Sequence, residues 1–81
     1  MTVRVLLFAL ARQRLGRDSI SVELPAAATV AQLRDALAQQ FPPLADLLPH
    51  VRFAVNGDYA ALTAVVPPAA EVAIIPPVSG G

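Results

Sequence analysis

TVAQLRDALAQQF, residues 29–41, is the one long helical pattern in this 81-residue chain. Val30, Leu33, Leu37 and Phe41 recur at helical spacing as one apolar stripe, while Arg34, Asp35 and Gln39 lie away from it. Thr29 followed three residues later by Gln32 is a capping box at the start, and Pro42-Pro43 stops the helix. Working outward, the chain on both sides reads as strand. TVRVLLF (2–8) is rich in β-branched and large apolar residues, with Val3, Val5 and Leu7 on one face and Arg4, Leu6 and Phe8 on the other. ALARQRLG (9–16) predicts a short helical turn capped by Gly16. DSISVEL (18–24) alternates as a half-buried strand stopped by Pro25. Beyond the helix, LADLLPH (44–50) predicts an irregular or 3₁₀ segment that plugs the core, and VRFAV (51–55) a third strand with Val51, Phe53 and Val55 inward. Asn56-Gly57 is the dipeptide of a type I′ hairpin turn, leading to a short strand around Tyr59–Leu62. After Pro67-Pro68, EVAII (71–75) is the last strand, with Val72 and Ile74 on one face and Ala73 and Ile75 on the other.

The order β, β, α, β, short β, β predicts an α+β domain: a mixed sheet with one main helix packed on one face. The first and last strands are the most apolar and should be central. This is the β-grasp, or ubiquitin-like, architecture. A ferredoxin-like sheet is its rival, but needs a second helix of similar length. Residues 1–75 form the domain, and 76–81, PPVSGG, a flexible C-terminal tail.

Composition narrows the function. A chain this short buries only roughly 60–65% of its unfolded surface, which argues against a deep enclosed active site. Hydrophobic residues make up 56% and mean hydropathy is +0.59, so some apolar surface must stay exposed for partners. Six Arg, spread along the chain at 4, 12, 14, 17, 34 and 52, balance six acidic residues, a poor pattern for nucleic acid. No Lys is present; base composition of the gene accounts for that, yet it leaves no side-chain amine to accept an isopeptide bond. There is no Cys, hence no disulfide or thiolate chemistry. No apolar run is long enough to span a bilayer and no signal-peptide layout opens the chain, so a cytoplasmic address without membrane contact is expected.

The tail can be read as a frayed end. Three features together favour a working end. Pro76 and Pro77 stiffen its base, Gly80 and Gly81 lack a Cβ and can enter a narrow channel, and Gly81 supplies a terminal α-carboxylate. A carboxylate is unreactive because oxide leaves poorly. Joined to AMP it gains a good leaving group, and sulfur or an amine can then attack the unhindered glycyl carbonyl. The outer face of the two central strands adds a docking expectation: Leu6, Phe8, Ala73 and Ile75 form an apolar patch beside the tail, with Tyr59 at its edge. A tail of a few residues requires the body to dock close by. His50 lacks the companions of a metal site, and Ser79 lacks a base that would make it a nucleophile. No bound cofactor or metal is expected.

VRVLLFALARQRLG (3–16), VRFAVNGDY (51–59) and EVAIIPPVSGG (71–81) resemble the small subunits of molybdopterin synthase, the MoaD-type sulfur carriers. The last is the most specific, because that family typically ends in Val-Ala, two apolar residues, then Pro-Pro-Val-Ser/Thr-Gly-Gly. One departure is visible: the family often has Asp-Gly-Asp before the last strand, where this chain has Pro68-Ala69-Ala70-Glu71. The resemblance implies a carrier without catalysis of its own, working in a hetero-oligomer. A ubiquitin-activating-type enzyme, using ATP and magnesium, would adenylate Gly81, and a sulfur donor would make the thiocarboxylate. The tail, Pro76, Pro77, Val78, Ser79 and Gly80, would then insert into the large synthase subunit, where the sulfur builds the dithiolene of the molybdenum cofactor. Arg12 stands where the family commonly has Arg, which implies partner contact; a solvated charge is the other reading. Carriers for cysteine or thiamine synthesis, and ubiquitin-like protein modifiers, share the terminal Gly-Gly and remain alternatives.

Overall fold

The helical stripe and the two hairpins on either side of it assemble in the computed structural model into one sheet with helices on one face. It describes residues 1–76; Pro77, Val78, Ser79, Gly80 and Gly81 lie outside the described residues. Five strands, β1 (Thr2–Leu6), β2 (Ser19–Glu23), β3 (Arg52–Val55), β4 (Asp58–Ala60) and β5 (Glu71–Ile75), are ordered β2-β1-β5-β3-β4. The central β1–β5 pair is parallel and the other pairs are antiparallel. A parallel pair needs a long crossover, and here it is the rest of the domain. That topology is the β-grasp, and it places the two most apolar strands at the centre.

The main helix, α2 (Val30–Gln40), starts on a complete capping box: the Thr29 hydroxyl accepts from the Gln32 amide, and the Gln32 side chain accepts from the Thr29 amide at 2.8 Å. Its Val30, Leu33 and Leu37 are fully buried against Val3, Val5, Val22, Val72 and Ile74 of the sheet. Phe53 joins them, whereas Val51 and Val55 are only half-buried. Two 3₁₀ turns, Pro42–Leu44 and Leu48–His50, insert Leu44 and Leu48 under the helix. Asn56 (φ 50°) and Gly57 (φ 89°) both take the left-handed backbone that the hairpin turn needs.

Residues 9–15 are helical as expected and run longer than a short turn. They form a second helix, α1 (Ala9–Leu15), ended by Gly16 at φ 66°, whose amide donates to the Arg12 carbonyl at 2.8 Å. Arg14 fastens α1 to the segment after α2, through the Pro43 carbonyl at 3.1 Å and the Asp46 carboxylate. That hydrogen-bonded guanidinium holds the Asp46 carboxyl below its ordinary value.

Candidate functional site

β5 carries the chain to the tail. Because β5 runs parallel to β1 and antiparallel to β3, its end lies beside the end of β1, the start of α1 and the start of β3. Ile75 stands opposite Arg52, and Pro76 follows it, exposed.

On the sheet face opposite α2, one row crosses the strands: Leu6 beside Ala73, Ala73 beside Ala54, Ala54 beside Tyr59. Leu6, Ala73 and Ile75 are half-buried, and Ile75 shares a shallow hollow with Ala54, Gly57 and Tyr59. Tyr59 is 64% exposed at the sheet edge, with the Arg52 guanidinium 4.8 Å from its ring centroid. The structure thus brings Leu6, Ala73, Ile75 and Tyr59 to one face.

Phe8 is not on that face of a strand. β1 ends at Leu6, Ala9 turns the backbone to φ 51°, and Phe8 becomes the N-cap of α1 without making a side-chain cap. Phe8 keeps an extended backbone and the buried–exposed alternation runs through it, but the ladder has ended, so the expectation that Phe8 lies in one patch with Leu6, Ala73 and Ile75 is corrected. Phe8 instead lines a groove of about 270 Å³ on the other side of the tail root, with Leu10, Leu47, Val51, Ile74 and Pro76. Phe8 and Leu10 are each 45% exposed, and His50 is the one lining residue with a titratable side chain. Pro76 belongs to both the groove and the tail. Sequence reasoning missed Leu10, Leu47 and Val51. The available signal was Leu10, a large apolar residue on a helix whose only buried member is Ala11.

Arg12 lies in neither apolar surface. It sits at the α1–β2 corner, its Nε 2.8 Å from Asp18 Oδ1, with both side chains largely in solvent. Among the described residues no group of His, Cys, Asp or Glu could hold a metal ion, and no helix is long and apolar enough to cross a membrane.

The ThiS family model matches residues 5–81. The molybdopterin synthase sulfur carrier subunit of Arabidopsis thaliana is 38% identical over 98% of this chain and 82% of its own length. The human molybdopterin synthase sulfur carrier subunit is 35% identical, over 98% of this chain and 93% of its own. In fold, SAMP1 of Haloferax volcanii, a small archaeal modifier protein, superposes with a TM-score of 0.85 at 30% identity, covering all of both chains. Matched along nearly its whole length and sharing the fold, the chain belongs to the ThiS family, beside the molybdopterin synthase sulfur carrier subunits.

Proposed function

We propose that this protein is the sulfur-carrier subunit of a molybdopterin synthase, with the carboxylate of Gly81 as its reacting group. The observation that carries the proposal is the likeness to molybdopterin synthase sulfur carrier subunits over 98% of the chain. The geometry agrees: β5 delivers Pro76 to the surface between two apolar areas, so a partner that grips either one receives the tail directly.

The chemistry follows from the leaving group. A carboxylate oxygen of Gly81 attacks the α-phosphorus of magnesium-bound ATP on an activating enzyme, giving glycyl-AMP and pyrophosphate. A donor supplying sulfur at the oxidation level of sulfide then forms a C–S bond at the carbonyl carbon and expels AMP, leaving the thiocarboxylate. In the large synthase subunit the sulfur passes to the pterin precursor and water restores the carboxylate. The carrier contributes reach, docking and an unhindered carbonyl.

The likeness to SAMP1 favours a second reading, in which the same activated carboxylate is conjugated to amines of other proteins. One experiment separates them. The protein is incubated with ATP, magnesium, the activating enzyme encoded in the same genome and a sulfide donor, and its intact mass is measured. Exchange of one oxygen for sulfur, absent when Gly81 is deleted, is the expected result. Conjugates to other proteins with no thiocarboxylate would establish the second reading and overturn the first.

A further inference from the structure

At the β4 edge, about 10 Å across the sheet from β5, lies a groove of about 370 Å³ that shares only Tyr59 and Val51 with the two surfaces at the tail root. It wraps around the sheet. Arg34 reaches it from α2 on one side, Arg52 and Tyr59 stand on the other, and Leu48, Phe53 and Leu62 form its apolar floor. No carboxylate lines it. Arg34 has only its neighbour Asp35, at 3.9 Å, and Arg52 has the Tyr59 ring and no carboxylate partner among the described residues.

The backbone beside this groove is unpaired. In a two-residue hairpin the residues flanking the turn exchange both hydrogen bonds, and bonding then alternates along the ladder. Val55 and Asp58 therefore bond, Phe53 and Ala60 bond, and Ala54 and Tyr59 do not. The Asn56 amide donates to Glu71 of β5, so the even-numbered residues of β3 are turned toward β5, as this phase requires. The Tyr59 amide and carbonyl consequently point outward from the sheet. β4 carries no Pro, Lys or bulge; its three-residue length and the Asp58 charge are its defences, and they leave only the Tyr59 backbone pair open to an added strand.

We propose that the β4 edge receives an extended acidic segment of a partner protein, added as a sixth strand. Side chains of an added strand alternate between the two faces, so carboxylates on opposite faces meet Arg34 and Arg52 in turn. The two acids are therefore adjacent in the segment, an apolar residue two positions from the Arg34-facing acid shares its face and covers Leu62 and Phe53, and the segment's backbone bonds to Tyr59 supply sequence-independent affinity. An added strand would lie about 14 Å from β5, which leaves the Phe8 groove open and meets the outer apolar face only at its Tyr59 edge.

The test uses the whole isotope-labelled chain and two capped peptides of about eight residues. One contains Val, Asp and Glu; the other has Lys in place of the acids. Amide chemical shifts and hydrogen exchange are followed during titration. The acidic peptide should shift and protect the Tyr59 amide, bind more weakly as salt rises, and lose roughly three- to tenfold in affinity with Arg34→Gln or Arg52→Gln. Tyr59→Pro, which removes a donor the β3 ladder does not use, should abolish binding while amides elsewhere keep their shifts. Equal binding of both peptides, shifts confined to the tail-root groove, or displacement by inorganic phosphate alone would each overturn the proposal. Because the titration does not involve Gly81, its failure leaves the sulfur-carrier reading untouched, and failure of that reading leaves this edge unaffected.

Discussion

Ala69→Gly should make this protein more stable, against the usual effect of introducing glycine. Pro67 to Ala70 form a turn in which the Ala70 amide donates to the Pro67 carbonyl at 3.3 Å, and Ala69 sits at φ 58°. With Pro68 at the second position and positive φ at the third, this is a type II turn, whose third position suits glycine. Holding an L-residue in the left-handed region costs roughly 1–2 kcal/mol through the clash of its Cβ with the carbonyl. Glycine removes that clash but adds about 0.4–1 kcal/mol of unfolded-state freedom. The difference spans about 0–1.6 kcal/mol and centres on about 0.8 kcal/mol. For a domain of this size each kcal/mol moves the melting midpoint by roughly 4–8 °C, so a rise of about 3–6 °C is expected at that centre. Urea denaturation followed by circular dichroism measures it, with an unchanged slope because the buried area is the same. Gly16→Ala is the converse control: φ there is 66°, a Cβ would meet nothing within 4 Å, and only backbone strain can act. It should lose about 0.8 kcal/mol, the same difference with the opposite sign. If Ala69→Gly lowers the midpoint while Gly16→Ala also lowers it, the strain argument for this turn is wrong.

Two further substitutions probe the ties around α1. Phe8→Asp replaces an exposed N-cap that makes no cap with one of the best capping residues, so thermal stability should hold or rise; under the proposed function, affinity for an activating enzyme and for a large synthase subunit should fall, and unchanged affinity by calorimetry would remove the groove from the proposed docking surface. Asp46→Asn should flatten the acid limb of the stability curve. The Asp46 carboxyl is held by Arg14 below its ordinary value of 3.8, so its contribution is present above that value and is lost as pH falls through the lower folded one; urea midpoints compared between about pH 5 and about pH 2 should fall less in the variant than in the parent.

The features legible in the sequence are those fixed by local rules. The capping box at Thr29 and Gln32, the Asn56-Gly57 turn and the Gly16 cap each depend on residues within four positions of one another, and each stands in the structure as read. The bounds of β5 were equally plain, set by the prolines on either side of an apolar run. Phe8 was not legible. Strand alternation passes through it until Ala9, a residue with no special liking for positive φ, reverses the backbone at 51°. No composition signal marks such a position, because the strain is offset by contacts elsewhere: α1 is drawn onto the body by Ala11 in the core and by Arg14 on Pro43 and Asp46.

The same contrast separates the two halves of the candidate site. The chemistry proposed for the tail rests on six consecutive residues, 76–81, and needs no neighbour to be read. The groove at its root is built from residues 8–11, 47–51 and 74–76, which meet only because β1 and β5 lie parallel at the centre of the sheet. A change of register in that pair would leave the sequence PPVSGG intact and carry Pro76 away from Phe8 and Leu10. What the β-grasp would add to the carboxylate proposed to react is therefore position: it fixes which surfaces flank Pro76, and through them, in the proposed cycle, which enzyme would hold the body while Gly81 reacts.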